Sequence, residues 1–330
     1  MNVGSPDKPA IPQVWKYLTD FLNDKRVIDL PWLLRKFLVN FIIIPFRVKN
    51  STGLYKRVWT ENGSPLIHYS GEVKLKLENR LGENYQFFVG MRYGNPGYKK
   101  ALEEIKKQGF EKLVVFPLFP QHAMSTTETA VKAVEKEVKK QGMDLEMKVV
   151  DQFYDHPGFI DAFVEQIRKY DPSKYDHIVF SYHGLPNRQL EKVHPGIKVK
   201  DCSCDISMPE HGKHCYRATC FGTTGLLVKA LGLQKDDYTV AFQSRLSRNW
   251  MSPFTDEILL EKLREGKKRI LVVAPAFVAD CLETIIELGY EYREMFIDEG
   301  GEDLQMVESL NAEPMWIDAM ETLLKDTVKR

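Results

Sequence analysis

Four of the five cysteines stand in one twenty-residue stretch, "DCSCDISMPEHGKHCYRATC" (201–220), as Cys202, Cys204, Cys215 and Cys220, with His211 and His214 between them. The spacing C-x-C-x10-C-x4-C gathers four thiols in a polar, turn-rich segment. Four thiolates are what a four-coordinate zinc or iron–sulfur site demands. Zinc sites more often use C-x-x-C pairs, because a two-residue turn aims both sulfurs inward, so the C-x-C start leaves the metal open.

A second set of residues could handle protons and divalent cations. His183 follows the apolar run "HIVFSY" in "SYHGLP", and Asp280, Glu283 and Glu287 follow "VVAPAFVA". Spacings of three and four put these acids on one side of an α-helix, where like charges repel. A solvated acidic helix face has the same spacing. Drawn into a crevice, however, such a group has raised pKa values and accepts protons near neutral pH or attracts a hard cation. Arg92 and Tyr93 follow "FFVGM", and Gln121, His122, Ser125, Thr126 and Thr127 follow "VVFPLFP". No Ser or Cys nucleophile has an evident partner.

The elements that must position these groups repeat. Short apolar runs suited to buried parallel strands alternate with amphipathic helical patterns such as "KKALEEIKKQGF" and "EILLEKLREGKK". The strand candidates are "NVGSP", "YQFFVGMRYGNP", "KLVVFPLFP" and "MKVVDQFYDHP", then "HIVFSYHGLP", "YTVAFQSR" and "RILVVAPAFV". "GSP" faces "GLP", "VGMRY" faces "VAFQS" and "QGFEKLVVFPLF" faces "EGKKRILVVAPAF", in the same order. This predicts an α/β fold with two copies of one unit, each a parallel β-sheet flanked by helices. Ligands of such sheets bind beyond the carboxyl ends of the strands, where His183 and the acids fall. Neither G-x-G-x-x-G nor G-x-x-x-x-G-K-[ST] follows a strand, so nucleotide binding has no support.

The 330 residues suit two domains. Forty-six basic residues balance forty-six acidic ones, which argues against a nucleic-acid partner. "MNVGSPDKPAIPQ" has no export signal, so a cytoplasmic location is expected, where thiols stay reduced and a disulfide is the weaker reading of the cysteines. "PWLLRKFLVNFIIIPFRV" (31–48) is apolar, but Arg35, Lys36 and Pro45 interrupt it and it is too short to span a bilayer. It suits an interfacial segment, the mouth of a pocket for a flat apolar ligand, or a buried helix.

The motifs "FSYHGLP", "VAFQSRLSRNWMSPFTDE", "VVAPAFVADCLETIIELGYEY" and "MRYGNP", with "FLNDKRVIDLP", "NGSPL" and "ESLN", closely resemble the ferrochelatase family over nearly the whole chain. The resemblance implies two similar Rossmann-like domains with a cleft between them for the porphyrin: residues 1–150 with 312–330, carrying a lip at 31–47, and 151–311, carrying a cysteine-rich loop at 187–220. It implies ferrous iron and a porphyrin, protoporphyrin IX before coproporphyrin, as substrates, and haem as product. His183 and Glu283 match the family's active-site histidine and glutamate, and Asp280 and Glu287 its further acids. Arg92, Tyr93, Tyr55 and Ser125 fall at substrate-contacting positions, and the lip implies peripheral membrane contact. His183 and Glu283 would meet the incoming iron. The resemblance also shifts the cysteine loop towards a [2Fe-2S] cluster on Cys202, Cys204, Cys215 and Cys220, with His211 and His214 beside it.

Two departures stand out. Cys281 occupies a position that is generally histidine, and the first strand starts later than in relatives. Rival readings are a cobalt or nickel chelatase of another tetrapyrrole and a non-catalytic iron–sulfur or zinc sensor.

Overall fold

The computed structural model describes residues 1–194 and 196–329, without the side chains of Asn84 and His211. The chain divides into two units. The first comprises 1–119, 123–151 and 320–330, the second 120–122 and 152–319.

In the first unit β1 (Asn2–Ser5) pairs in parallel with β2 (Met91–Gly94), and β3 (Lys112–Val115) with β4 (Glu146–Val149). The Met1 amine donates to Phe116 O at 2.5 Å and Leu118 N–H to Met1 O at 2.8 Å, which joins the pairs in the order β2-β1-β3-β4. In the second unit β5 (His177–His183), β6 (Tyr238–Gln243), β7 (Arg269–Val273) and β8 (Asp303–Met306) form one parallel sheet, ordered β6-β5-β7-β8. The two orders correspond strand for strand. So does the register: Asn2 faces Met91 as Tyr182 faces Phe242, the partners that the alignment of "GSP" with "GLP" and "VGMRY" with "VAFQS" requires.

Several strands are shorter than their apolar runs. Pro117 and Pro275 have no N–H to continue a ladder, so β3 and β7 stop just before them. Only Met91–Gly94 of "YQFFVGMRYGNP" forms strand. β8 ("DLQM") was not among the expected strands, being brief and half polar. Glycine is required where the strands turn: a Cβ at Gly4 (φ +111°) would lie 1.8 Å from Tyr93 O, and one at Gly184 2.9 Å from Gln243 O.

The apolar faces build the cores. Around the second sheet Val179, Ala241, Leu259, Ile270, Val272, Leu288, Phe296 and Leu304 are buried, at about 1.5–3 kcal/mol for each large side chain. In the first unit Leu102 and Ile105 of the helix Tyr98–Gln108 pack with Val115 and Val134.

The segment from Pro31 is helical, with α-helices Trp32–Phe37 and Ile44–Val58 flanking a π-helix, Leu38–Ile43. It is neither wholly buried nor wholly exposed. Val39, Ile44 and Val48 pack on Val14 and Leu22, whereas Trp32, Leu33, Phe37, Phe41 and Phe46 lie outward, 57–82% exposed. No helix of the described residues is long and apolar enough to cross a membrane.

Candidate active site

His183 ends β5, whose other six residues are all buried, and stands opposite Gln243 of β6. Its Nδ1 lies 2.7 Å from Gly184 O. A carbonyl only accepts, so Nδ1 carries a proton, and the neutral form of the ring has its lone pair at Nε2. Trp250 and Phe277 flank the ring at centroid distances of 6.5 and 6.4 Å.

After β7 the chain enters a π-helix, Glu283–Tyr292, instead of the α-helix that the spacing suggested. Glu287 reaches back to the end of β6. Its Oε1 accepts from Ser244 N–H (2.8 Å) and the Tyr292 hydroxyl (3.0 Å), and its Oε2 from the Ser244 hydroxyl (2.5 Å) and Gln243 Nε2 (3.3 Å). Burial raises its pKa above the ordinary carboxylate value; Ser244 and the field of His183 oppose that rise, and the charge of Glu283 adds to it. Gln243 Nε2 also donates to Glu283 O at 3.4 Å. Burial first, then the neighbouring Glu283, pushes the Cys281 thiol well up, which keeps it protonated. His183, Glu283 and Glu287 thus form one electrostatic group at the carboxyl ends of β5 and β6.

Asp280 does not share a helix face with Glu283, as the spacing had suggested. It precedes the π-helix and is turned inward, only 7% exposed, with its carboxylate bonded to Thr284, Ser309 and Asn311.

In the first unit Arg92 and Tyr93 end in a polar knot around Asp24. Arg92 Nη2 (2.5 Å), the Tyr93 hydroxyl (3.0 Å) and the Thr129 hydroxyl (2.7 Å) all donate to Asp24 Oδ2, and Arg26 N–H donates to Oδ1 at 2.8 Å. Burial alone would raise the Asp24 pKa, but the Arg26 N–H, Thr129, Arg92 and Tyr93 together hold it below the ordinary value. Burial raises the Tyr93 phenol. Tyr55 packs edge-on against Tyr17 beneath the segment 31–48, and Ser125 lies half-buried in the π-turn Met124–Glu128. The structure therefore gathers Arg92 and Tyr93 on Asp24. Asp24, Thr129, Gln243, Ser244 and Tyr292 were missed in the sequence. Gln243, Ser244 and Asp24 lie inside the motifs already singled out, and Gln243 and Ser244 directly end an apolar run.

All four loop cysteines are buried and outside any disulfide, as is Cys281. Arg217 Nη1 donates to Cys204 Sγ at 2.7 Å. Contact with Cys215, then burial, raises the Cys204 pKa, while the same contact lowers that of Cys215; burial sets Cys220 well up against the opposing contact with Tyr216. Cys204 contacts Cys202, Cys215 and Arg217, and Cys220 contacts Tyr216. Among the described residues no group of three or more His, Cys, Asp or Glu is disposed to hold a metal ion. The donor types fit a cluster, and the arrangement of the described residues does not by itself show one. His214 lies edge-on to His122 at 5.6 Å; the His211 side chain lies outside the described residues.

Comparison with known proteins gives a consistent result. The ferrochelatase family model matches residues 1–328. A ferrochelatase of Coxiella burnetii (strain Dugway 5J108-111) is 39% identical over 335 residues, covering 100% of this chain and 93% of the relative. One from Pseudomonas aeruginosa (strain UCBPP-PA14) is 39% identical over 328 residues, 97% of this chain and 94% of the relative. Among solved structures, SirB from Bacillus subtilis with Fe3+ superposes with a TM-score of 0.51 at 12% identity, covering 81% of this chain and 92% of SirB, a likeness of fold.

Proposed function

The chain belongs to the ferrochelatase family and inserts ferrous iron into a porphyrin to form haem, and from that premise we propose how its residues do so. Fe2+ replaces two pyrrole N–H protons without changing oxidation state, so the protein must accept two protons and keep positive charge away from the incoming iron. His183 Nε2, the lone pair that the neutral ring has left beside the Nδ1 hydrogen bond, takes one pyrrole proton, passes it on, and then takes the second. Glu287 receives it in turn, because burial makes its carboxylate more basic than usual and His183 lies within its field. Glu283, on the same π-helix, meets the iron as an oxygen ligand, and Nε2 contacts the iron only while its lone pair carries no proton. The outward apolar residues of 31–47 rest on the macrocycle and touch a membrane surface peripherally, and protoporphyrin IX, the more apolar candidate, fits them better than coproporphyrin. Arg92, held against Asp24, acts by shaping the pocket wall.

The observation that carries this reading is the imidazole at the end of β5, with Nδ1 bonded to Gly184 O, coupled electrostatically to the buried carboxylate of Glu287. An anaerobic assay with ferrous iron and each porphyrin tests it. His183→Ala should lower kcat by about 10²–10⁴-fold while porphyrin binding, read by fluorescence, persists. Turnover close to wild type would remove His183 from the chemistry.

A finer reading concerns the cysteine loop. Four buried thiols in one polar segment support a [2Fe-2S] cluster on Cys202, Cys204, Cys215 and Cys220, reached by closing the sulfurs together. Such a cluster would supply a covalent tie to a loop with little apolar content of its own, and metal insertion, which transfers no electron, needs nothing more from it.

A further inference from the structure

The geometry points to Asp280 as a positioning residue, the clasp that sets the π-helix of Glu283 and Glu287, and not as a member of the proton or metal path; we infer this from where its carboxylate is committed. Oδ1 accepts from Ser309 N–H (3.1 Å) and the Thr284 hydroxyl (3.0 Å), and Oδ2 from Asn311 Nδ2 (2.7 Å). Asp280 N–H returns a bond to Asn311 Oδ1 at 2.9 Å. All four residues are buried: Asp280 7%, Thr284 0%, Ser309 1% and Asn311 8% exposed. Three of the four lone-pair sites of the carboxylate are thus committed in the interior, so turning it towards a proton or cation path would break bonds where an unmade bond is expensive.

The clasp joins two strand ends. Asn311 N–H donates to Val278 O (2.8 Å) and Val307 N–H to Val272 O (2.8 Å), so the chain after β8 lies along the chain after β7. Thr284, held by Asp280, accepts from Cys281 N–H at 3.0 Å and directly follows Glu283. A slack clasp would let the first turn of the π-helix shift, and a displacement of about 1 Å can cost up to about a hundredfold in rate.

The amide and the carboxylate bond reciprocally, so they can trade places. In Asp280→Asn the new amide would face Asn311 Nδ2, donor against donor, and Asn311 cannot flip because its Oδ1 already serves Asp280 N–H. In the double variant Asp280→Asn, Asn311→Asp the amide of residue 280 donates to the carboxylate of residue 311 and every bond is restored. The backbone permits it, since residue 311 has φ +48°, a region that Asp tolerates about as well as Asn. Charge is conserved, but the carboxylate moves to the other chain segment.

We would measure kcat, porphyrin KM, the pH profile and Tm for both variants. Asp280→Asn should lose about tenfold or more in kcat with KM little changed, the limbs of the pH profile in place and Tm lowered. The exchange should restore kcat to within about threefold of wild type, and Tm with it. Thr284→Val keeps the carboxylate but removes one donor, and should lose kcat in the same sense as Asp280→Asn. A folded exchange variant as slow as the single variant overturns the inference, as does a lost pH limb in Asp280→Asn. If the exchange does not fold, wild-type kcat in Thr284→Val does the same.

Discussion

Ser244 offers a quantitative test of how the site tunes its acid. It has φ +63°, which is unusual outside glycine, and from there its N–H and hydroxyl both reach Glu287. Burial raises the Glu287 pKa and the Ser244 hydroxyl is the largest influence opposing it. A hydrogen bond to a charged group contributes about 1.5–3 kcal/mol, and 1.36 kcal/mol corresponds to roughly one pKa unit. Water can replace part of the lost bond, so Ser244→Gly should move Glu287 up by about one unit. Glycine suits the left-handed backbone, which keeps the N–H in place and separates the hydroxyl from strain. The assay is kcat against pH with ferrous iron under argon: the acid limb, below which protonated Glu287 accepts nothing, should shift upward by about that amount. Ser244→Ala should shift the limb equally and be less stable, because alanine must hold the strained φ. The sign for stability is also fixed. A folded pKa above the unfolded one means the native state binds more protons, so Glu287 favours folding at low pH and loses that contribution as pH rises through its folded pKa. A limb that stays put or moves down in folded Ser244→Gly would refute the assignment of Glu287 as proton acceptor.

Other expectations are simpler. Asp24→Asn should destabilise the first unit by about 2–4 kcal/mol, since it leaves Arg92 partly buried without its charge partner; because the Asp24 pKa is depressed, the wild type should lose that stability as pH falls through the folded pKa, and the variant should lack this part of the acid dependence in thermal unfolding. Phe37→Glu with Phe41→Glu alters residues 57% and 70% exposed, so Tm should change little, while porphyrin KM rises and sedimentation with anionic vesicles falls; unchanged KM and unchanged sedimentation would free the lip of both roles. Protein purified without oxygen should contain iron and acid-labile sulfide in equal amounts, both lost in Cys204→Ser, whereas colourless protein with bound zinc would rule the cluster out.

The duplicated α/β plan was legible because buried parallel strands must be apolar and end at Pro or Gly, and both halves obey that rule at matching positions. His183, Glu283 and Glu287 were legible as polar residues at carboxyl strand ends. The bonds of Asp280 were not, because spacing of three from Glu283 assumes an α-helix where the chain forms a π-helix, and its partner Asn311 lies thirty-one residues on. Arg92 and Tyr93 were found as residues, but their commitment to Asp24 was hidden by a sequence separation of 68 and 69. The conflict at the cysteines is of the same kind: composition supplies four donors, and only three-dimensional placement decides whether they converge.

The matched register of β1 with β2 and β5 with β6 carries an evolutionary consequence. Val3 occupies the place in its ladder that His183 occupies in the other, and, continued without a gap, the alignment of the two halves sets Thr129 against Glu287 and Arg92 against Gln243. Arg92 touches Thr129 as Gln243 touches Glu287, so the same scaffold contact survives in both copies with different occupants. The second unit thus carries its own carboxylate at this place, Glu287, bonded by Gln243 and Ser244, whereas in the first unit Arg92 and Thr129 close on Asp24, which comes from another part of the chain.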